Sequence, residues 1–260
     1  VIDHATYPWR AAEWRGRQWE EAGIFGGHVG TFTQDGTYRA MIEKLDHLVE
    51  TGITALELMP LADFAGARNW GYDGVLLYAP DGAYGRPEDL KELIDEAHLR
   101  GLMAMLDVVY NHFGPEGNYL GRYAPSFFTE AHTPWGRAID YRVDAVRAFA
   151  IENAMQWLRD YRFDGLRLDA VNSIVEPGGL SLLHDISAAA GRLGPGTPRR
   201  IPPGLGHGGQ RSRPRPAVTS IWCWRTATTA PAFSTPRRIR RRANIARNGT
   251  MTITTPGVCC

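Results

Sequence analysis

The sequence predicts an α/β fold: a partial (β/α)8 TIM barrel of about the first four strand–helix units, followed by a non-native, disordered tail. Three observations carry that reading. A strand-then-helix rhythm repeats four times before residue 185. Polar residues stand just past strand C-termini, at Asp107 and Asp169, where parallel α/β folds build their sites. The composition changes abruptly after Asp185, the last acidic residue. An open doubly wound sheet fits the same rhythm. The absence of a glycine-rich dinucleotide fingerprint after the first strand favours the barrel.

In chain order, Gly23–Phe32 is a β-prone apolar stretch. Tyr38, Met41, Ile42, Leu45, Leu48 and Val49 then recur at helical spacing, with Gly52 placed to end that helix. Ile53–Met59 reads as a short buried strand closed by Pro60. Pro87 suits a first helical turn, which has no use for the missing N–H, and Glu88 and Asp89 suit the positive end of the helix. Leu90, Leu93, Ile94 and Ala97 form its apolar stripe, and Gly101 closes it. Leu102–Leu106 is nearly all apolar, as expected of a strand covered on both faces. A long loop spans about Asn111 to Tyr141. Val146, Phe149, Ala150, Ala154, Trp157 and Leu158 line a third helix, and Phe163–Leu168 is the fourth strand.

The 260 residues are 43% hydrophobic and 22% charged, which is ordinary globular composition. No apolar run approaches the ~20 residues needed to cross a bilayer, and no basic-then-apolar leader follows Val1. The expectation is a cytoplasmic chain with no membrane partner. The net charge of +1 conceals two unlike parts. Residues 186–260 hold 13 Arg and 9 Pro but no Asp, Glu or Lys, so residues 1–185 keep 16 of the 29 basic residues against all 28 acidic ones, a net of −12. Cys223, Cys259 and Cys260 all fall in the tail, and a first part without cysteine suits a reducing compartment. Residues 1–22 read as a lead-in from a missing N-terminal domain, 23–190 as the barrel segment, and 191–260 as an Arg/Pro-rich tail.

Three clusters could carry chemistry. Asp107, Asn111 and His112 put a carboxylate, an amide and an imidazole at one strand end, donors and acceptors that sugar hydroxyls could use. A turn-capping Asp and a His on a backbone carbonyl fit equally well. In Asp164–Asn172, alternation puts Arg167 and Asp169 on one face of an apolar strand. A charged pair there is costly unless it lines a polar cavity or is mutually paired. Arg167 would hold Asp169 ionised, as a nucleophile requires, and an internal structural ion pair is the even alternative. Trp70 and Tyr72 flank Gly71 beside Asn69 and Asp73, a sugar platform or simple packing. Asn118, Tyr119, Tyr123, His132 and Trp135 in the long loop read the same two ways. No His or Cys spacing matches a metal-ligand set, and neither a metal nor a cofactor is expected.

Taken together, residues 12–185 resemble the α-amylase clan of glycoside hydrolases. The carrying stretches are His28–Thr33, Glu57–Pro60, Asn69–Pro80, Tyr84–Leu102, Asp107–Leu120 and Asp164–Val171. The first of these, with Gly114–Leu120, resembles the trehalose-releasing branch and, behind it, glycogen branching and debranching relatives. The resemblance implies a retaining mechanism, in which one carboxylate attacks the anomeric carbon and a second, ~5–5.5 Å away, protonates the leaving oxygen. It implies Asp169 as the nucleophile and Arg167 as the cation that orients it. Trp70, Tyr72, Asp73, Asp107, Asn111, His112 and Asn172 would contact a maltooligosaccharide-type substrate. The bond cleaved would be the α-1,4 link beside a terminal trehalose unit. Rivals of another class are a non-catalytic maltodextrin-binding relative and a nucleic-acid binder acting through the Arg-rich tail.

This sequence departs from the family in places. Asn172 stands where His is usual in the branch, and Gly26 and Gly27 where a larger pair is usual. The general acid of the fifth strand and the third carboxylate of the seventh have no counterpart, nor has the amino-terminal β-sandwich, which implies an inactive chain as it stands. Back-translated and read from the third base of each codon, Pro216–Thr226 admits GRHVHLVLEN, which resembles the family's fifth strand and its acid. The same shift across Ala243–Pro256 admits QYRAQWNDDYHHA, which resembles a later segment. The tail is therefore read as a frameshift product, the shift lying between about Asp185 and Pro216, and nucleic-acid binding ranks behind it.

Overall fold

A computed structural model of the chain describes residues 2–174, 181–193 and 220–223. The first strand, β1 (Ile24–Gly27), leads into a single helical turn, α1 (Val29–Phe32). Two short helices follow, α2 (Tyr38–Ile42) and α3 (Leu45–Glu50), then β2 (Ala55–Leu58). A small antiparallel pair, β3 (Ala62–Asp63) and β4 (Leu76–Pro80), precedes α4 (Pro87–Leu99) and β5 (Met103–Val108). Next come α5 (Leu120–Tyr123), the hairpin β6 (Phe128–Thr133) and β7 (Gly136–Ile139), and the long α6 (Asp144–Arg159). The described chain closes with β8 (Gly165–Leu168), α7 (Ser181–Ala190) and β9 (Ser220–Cys223).

Five strands form one parallel sheet in the order β1-β2-β5-β8-β9. Parallel neighbours need crossovers; α2 and α3, then α4, then α6 supply them between the first four strands. The partial barrel is thus built as the rhythm predicts. Ser220–Cys223 lies within the stretch read as tail, yet it pairs with β8 along its whole length. The rest of the tail, residues 194–219 and 224–260, lies outside the described residues.

Alternation sorts the strand residues onto two faces. Leu56 and Leu58 of β2, Ala104 and Leu106 of β5, and Leu166 and Leu168 of β8 point outward into the core shared with the helices. Ala55, Met103 and Met105 point inward and form a second apolar cluster, covered by Trp14, Trp19 and Ala22. All six residues of β5 are buried, which is why its sequence is nearly uniform in hydrophobicity. The inner face turns polar only toward the strand C-termini, at Glu57, Asp107 and Arg167.

Residues 10–22 are fixed to the body of the fold. Asp95 of α4 accepts from the backbone N–H of Arg10 and of Ala11, at 3.0 and 2.9 Å. Trp14 Nε1 donates to Asp164 at 2.8 Å while its ring stacks on His98, and Arg17 donates to the Gly101 carbonyl at 2.6 Å.

Three local expectations are corrected. The apolar stretch Gly23–Phe32 is strand only to Gly27, because the N–H groups of Thr31 and Phe32 both turn back to the His28 carbonyl. The single helix expected over Tyr38–Val49 is broken at Glu43–Lys44, where Lys44 N bonds Met41 O three residues back. The long loop after Asn111 contains the β6–β7 hairpin, whose two-residue turn at Pro134–Trp135 ends on Gly136 at φ +115°.

Candidate active site

The site grows from register. Asp107 of β5 lies directly across from Arg167 of β8, so both side chains leave the sheet on its inner face. Asp169 follows one residue past β8, two on from Arg167, and returns to the same face. Arg167 Nη1 contacts Asp107 Oδ2 and lies 2.9 Å from Asp169 Oδ1, so one cation joins two carboxylates. The Tyr72 hydroxyl donates to Asp107 Oδ2 at 2.9 Å. The second oxygen, Asp107 Oδ1, is buried without a protein partner among the described residues. Burial pushes the Asp107 carboxyl up to about 7, against the pull of Arg167 and the Tyr72 hydroxyl. Burial and the adjacent Asp107 raise the Tyr72 phenol as well.

His112 is positioned from both sides. Its Nε2 faces the Tyr72 carbonyl at 2.9 Å and its Nδ1 faces the Asn111 amide nitrogen at 2.9 Å. A carbonyl can only accept and an amide nitrogen can only donate, so the proton sits on Nε2. Burial lowers the pKa of this imidazole, which keeps it neutral. Trp135, at the hairpin turn, stacks on it at 5.0 Å and 11°.

The loop that carries Tyr72 is held by its own polar groups. Asn69 accepts from Gly71 N and donates to Asp73, both at 2.7 Å, so the Asp73 carboxylate is engaged inside the loop. Gly114 N donates to Gly74 O at 3.0 Å, tying this loop to the one after Asp107. A Cβ on Gly114 would lie 1.9 Å from the Asp73 carbonyl oxygen, an overlap only backbone movement can relieve. Gly114→Ala is expected to cost about 1–3 kcal/mol and to lift Tyr72 from Asp107. A thermal midpoint equal to that of the unmodified chain would show that the loops are not locked here.

Of the residues expected at the site, Asp107, Arg167, Asp169, Tyr72 and His112 come together. Asn111 lies beneath them, buried, with its amide on His112. Trp70 stands out into solvent with its ring against the edge of His28. Asn172 is exposed on the turn Val171–Ser173. Glu57 was not read from the sequence as a site residue. It is the single charge in a buried strand, the same signal that marks Arg167, and burial raises its pKa with Arg167 opposing. His28 was missed too; its Nε2 meets the Asn69 carbonyl at 2.8 Å and the Tyr84 hydroxyl at 3.0 Å. Among the described residues no three His, Cys, Asp or Glu side chains gather as a metal-ligand group, and no helix is long and apolar enough to cross a membrane.

Comparison with known proteins bears on the family and the fold. The catalytic domain of the alpha-amylase family matches residues 7–135. A malto-oligosyltrehalose trehalohydrolase of Deinococcus radiodurans is 50% identical over 195 residues, 75% of this chain and 32% of the relative. A crystal structure from Salmonella typhimurium, assigned as an alpha amylase, superposes with a TM-score of 0.70 at 52% identity, covering 72% of this chain and 32% of the other. A type I pullulanase of Bacillus subtilis in complex with maltose superposes at 0.62 with 26% identity, over 73% of this chain and 33% of the other. The chain thus spans about a third of the length of the proteins it matches. An identity of one half, running through the strands that carry Asp107 and Asp169, leads to one conclusion: the chain belongs to the alpha-amylase family of glycoside hydrolases.

Proposed function

We propose that Asp169 is the nucleophile of a retaining hydrolase acting on α-glucans, and that the bond cleaved is the α-1,4 link beside the terminal trehalose unit of a maltooligosyltrehalose. One observation carries the reading: Arg167 joins Asp107 and Asp169 at the ends of adjacent parallel strands. Arg167, 2.9 Å from Asp169, directs that carboxylate toward the anomeric carbon, while Asp107 keeps one oxygen without a protein partner among the described residues, as a sugar hydroxyl requires. Neutral His112 supplies ring surface, and Tyr72 fixes Asp107. The choice of bond rests on the likeness to the trehalohydrolase, and the maltose bound by the pullulanase supports an α-glucan ligand.

Release of the sugar also needs an acid on the leaving oxygen. Residues 186–260 contain no Asp or Glu to provide one. On this reading residues 1–185 form a glycan-binding half-site, and we assign the full reaction to a protein in which the reading frame of the tail is restored. With maltooligosyltrehalose, the purified chain should free no trehalose above a buffer blank. The frame-restored protein should free trehalose readily. New or lost α-1,6 branches from the restored protein would favour the branching or debranching reading, and inertness of both would favour a binding protein.

A further inference from the structure

Two non-glycine residues among those described have positive φ, Arg162 and Ala170. Ala170 directly follows the proposed nucleophile, at φ 43° and ψ 41°, a left-handed conformation that crowds its Cβ against the backbone. The chain uses glycine at other such positions, including Gly52, Gly71 and Gly101. Ala170 is buried, and its carbonyl accepts from Ser173 N at 2.8 Å, while Asp169 N donates to Val108 O at 2.9 Å. The backbone on either side of the strained residue is thus tied to β5 and to the turn beyond.

We propose that Ala170 is a positioning residue that acts through Asp169. The hydrogen bonds on either side hold Ala170 in the left-handed well, and its Cβ leaves that well narrower than a glycine's, so the peptide after Asp169 has little room to move. Arg167 then meets a carboxylate whose origin does not wander. The strain is retained because it fixes the direction of attack. This inference rests on Asp169 being the nucleophile.

The experiment follows the reaction of the whole chain with α-maltosyl fluoride, in which an Asp169 oxygen bonds to the anomeric carbon as the carbon–fluorine bond breaks and fluoride leaves. Ala170→Gly should lower the limiting rate of labelling about tenfold or more, with the half-saturating concentration unchanged. Its thermal midpoint should be equal to or above that of the unmodified chain, since glycine relieves the strain. Ala170→Ser, which restores a Cβ, should restore the rate. Labelling of Ala170→Gly at the full rate would overturn the proposal, and so would slower labelling accompanied by a lower midpoint. If the unmodified chain takes no label at Asp169, the nucleophile assignment fails first and this inference falls with it.

Discussion

Incubated with α-maltosyl fluoride, the chain is expected to gain one maltosyl unit, mapped by peptide mass to Asp169. Fluoride leaves without being protonated, so the step needs no general acid. The second step of a retaining hydrolase needs that same group as a base to activate water, and the ester should accumulate. Asp169→Asn offers a neutral amide in place of the anion held by Arg167. The labelling rate should fall at least about 10³-fold. A label on another carboxylate, or equal labelling of the variant, would remove Asp169 from its role. Binding of maltose without any labelling would point to the non-catalytic relative.

The second large effect concerns Arg167. Its guanidinium is mostly buried and is the cation shared by Asp107 and Asp169. Arg167→Leu leaves two carboxylates facing each other with no positive partner between them. Breaking a buried pair in this way costs about 3–5 kcal/mol. The deficit should depend on pH with a definite sign. Asp107 already titrates at about 7 because it is buried, and losing Arg167 raises it further. A carboxyl whose folded pKa is raised contributes stability in full below its unfolded value, and that contribution is lost as pH rises through the folded value. Urea midpoints of the variant should therefore lie closest to those of the unmodified chain near pH 4 and fall away toward pH 8. An equal deficit at both ends would mean that Arg167 acts by packing alone.

Most of the barrel segment was legible because its causes are local. The apolar alternation of β5, the Pro87 start of α4 and the glycines that end helices each act within a few residues. What was not legible depended on partners distant in the chain. Nothing near Glu43–Lys44 announces a helix break. The β6–β7 hairpin could have been read from Pro134–Gly136, but the aromatic loop around it hid its alternation. Within the site, two-residue spacing brings Arg167 to Asp169, and the aromatic loop Asn69–Asp73 marks Tyr72 as a sugar platform or packing, a choice the family resemblance turns toward sugar contact. Only the sheet register brings Asp107 opposite Arg167. Asp73 and Asn111 have the right chemistry for sugar contacts, yet the loops engage them elsewhere. Glu57 is a lone charge in a short apolar strand, and only the register of β2 against β5 puts it on the inner face near Arg167.

The seal formed by Trp14, Trp19 and Ala22 under Ala55, Met103 and Met105 bears on how this fold can be cut. A boundary drawn where the first strand begins would look clean on a map of elements. It would also take the floor out of the cup, leaving two methionines and an alanine open to water beneath the site. Any shortened version used for crystals, fusions or display must therefore begin before Arg10, whose backbone is already bound to α4. The working unit starts with the strap, not with the sheet.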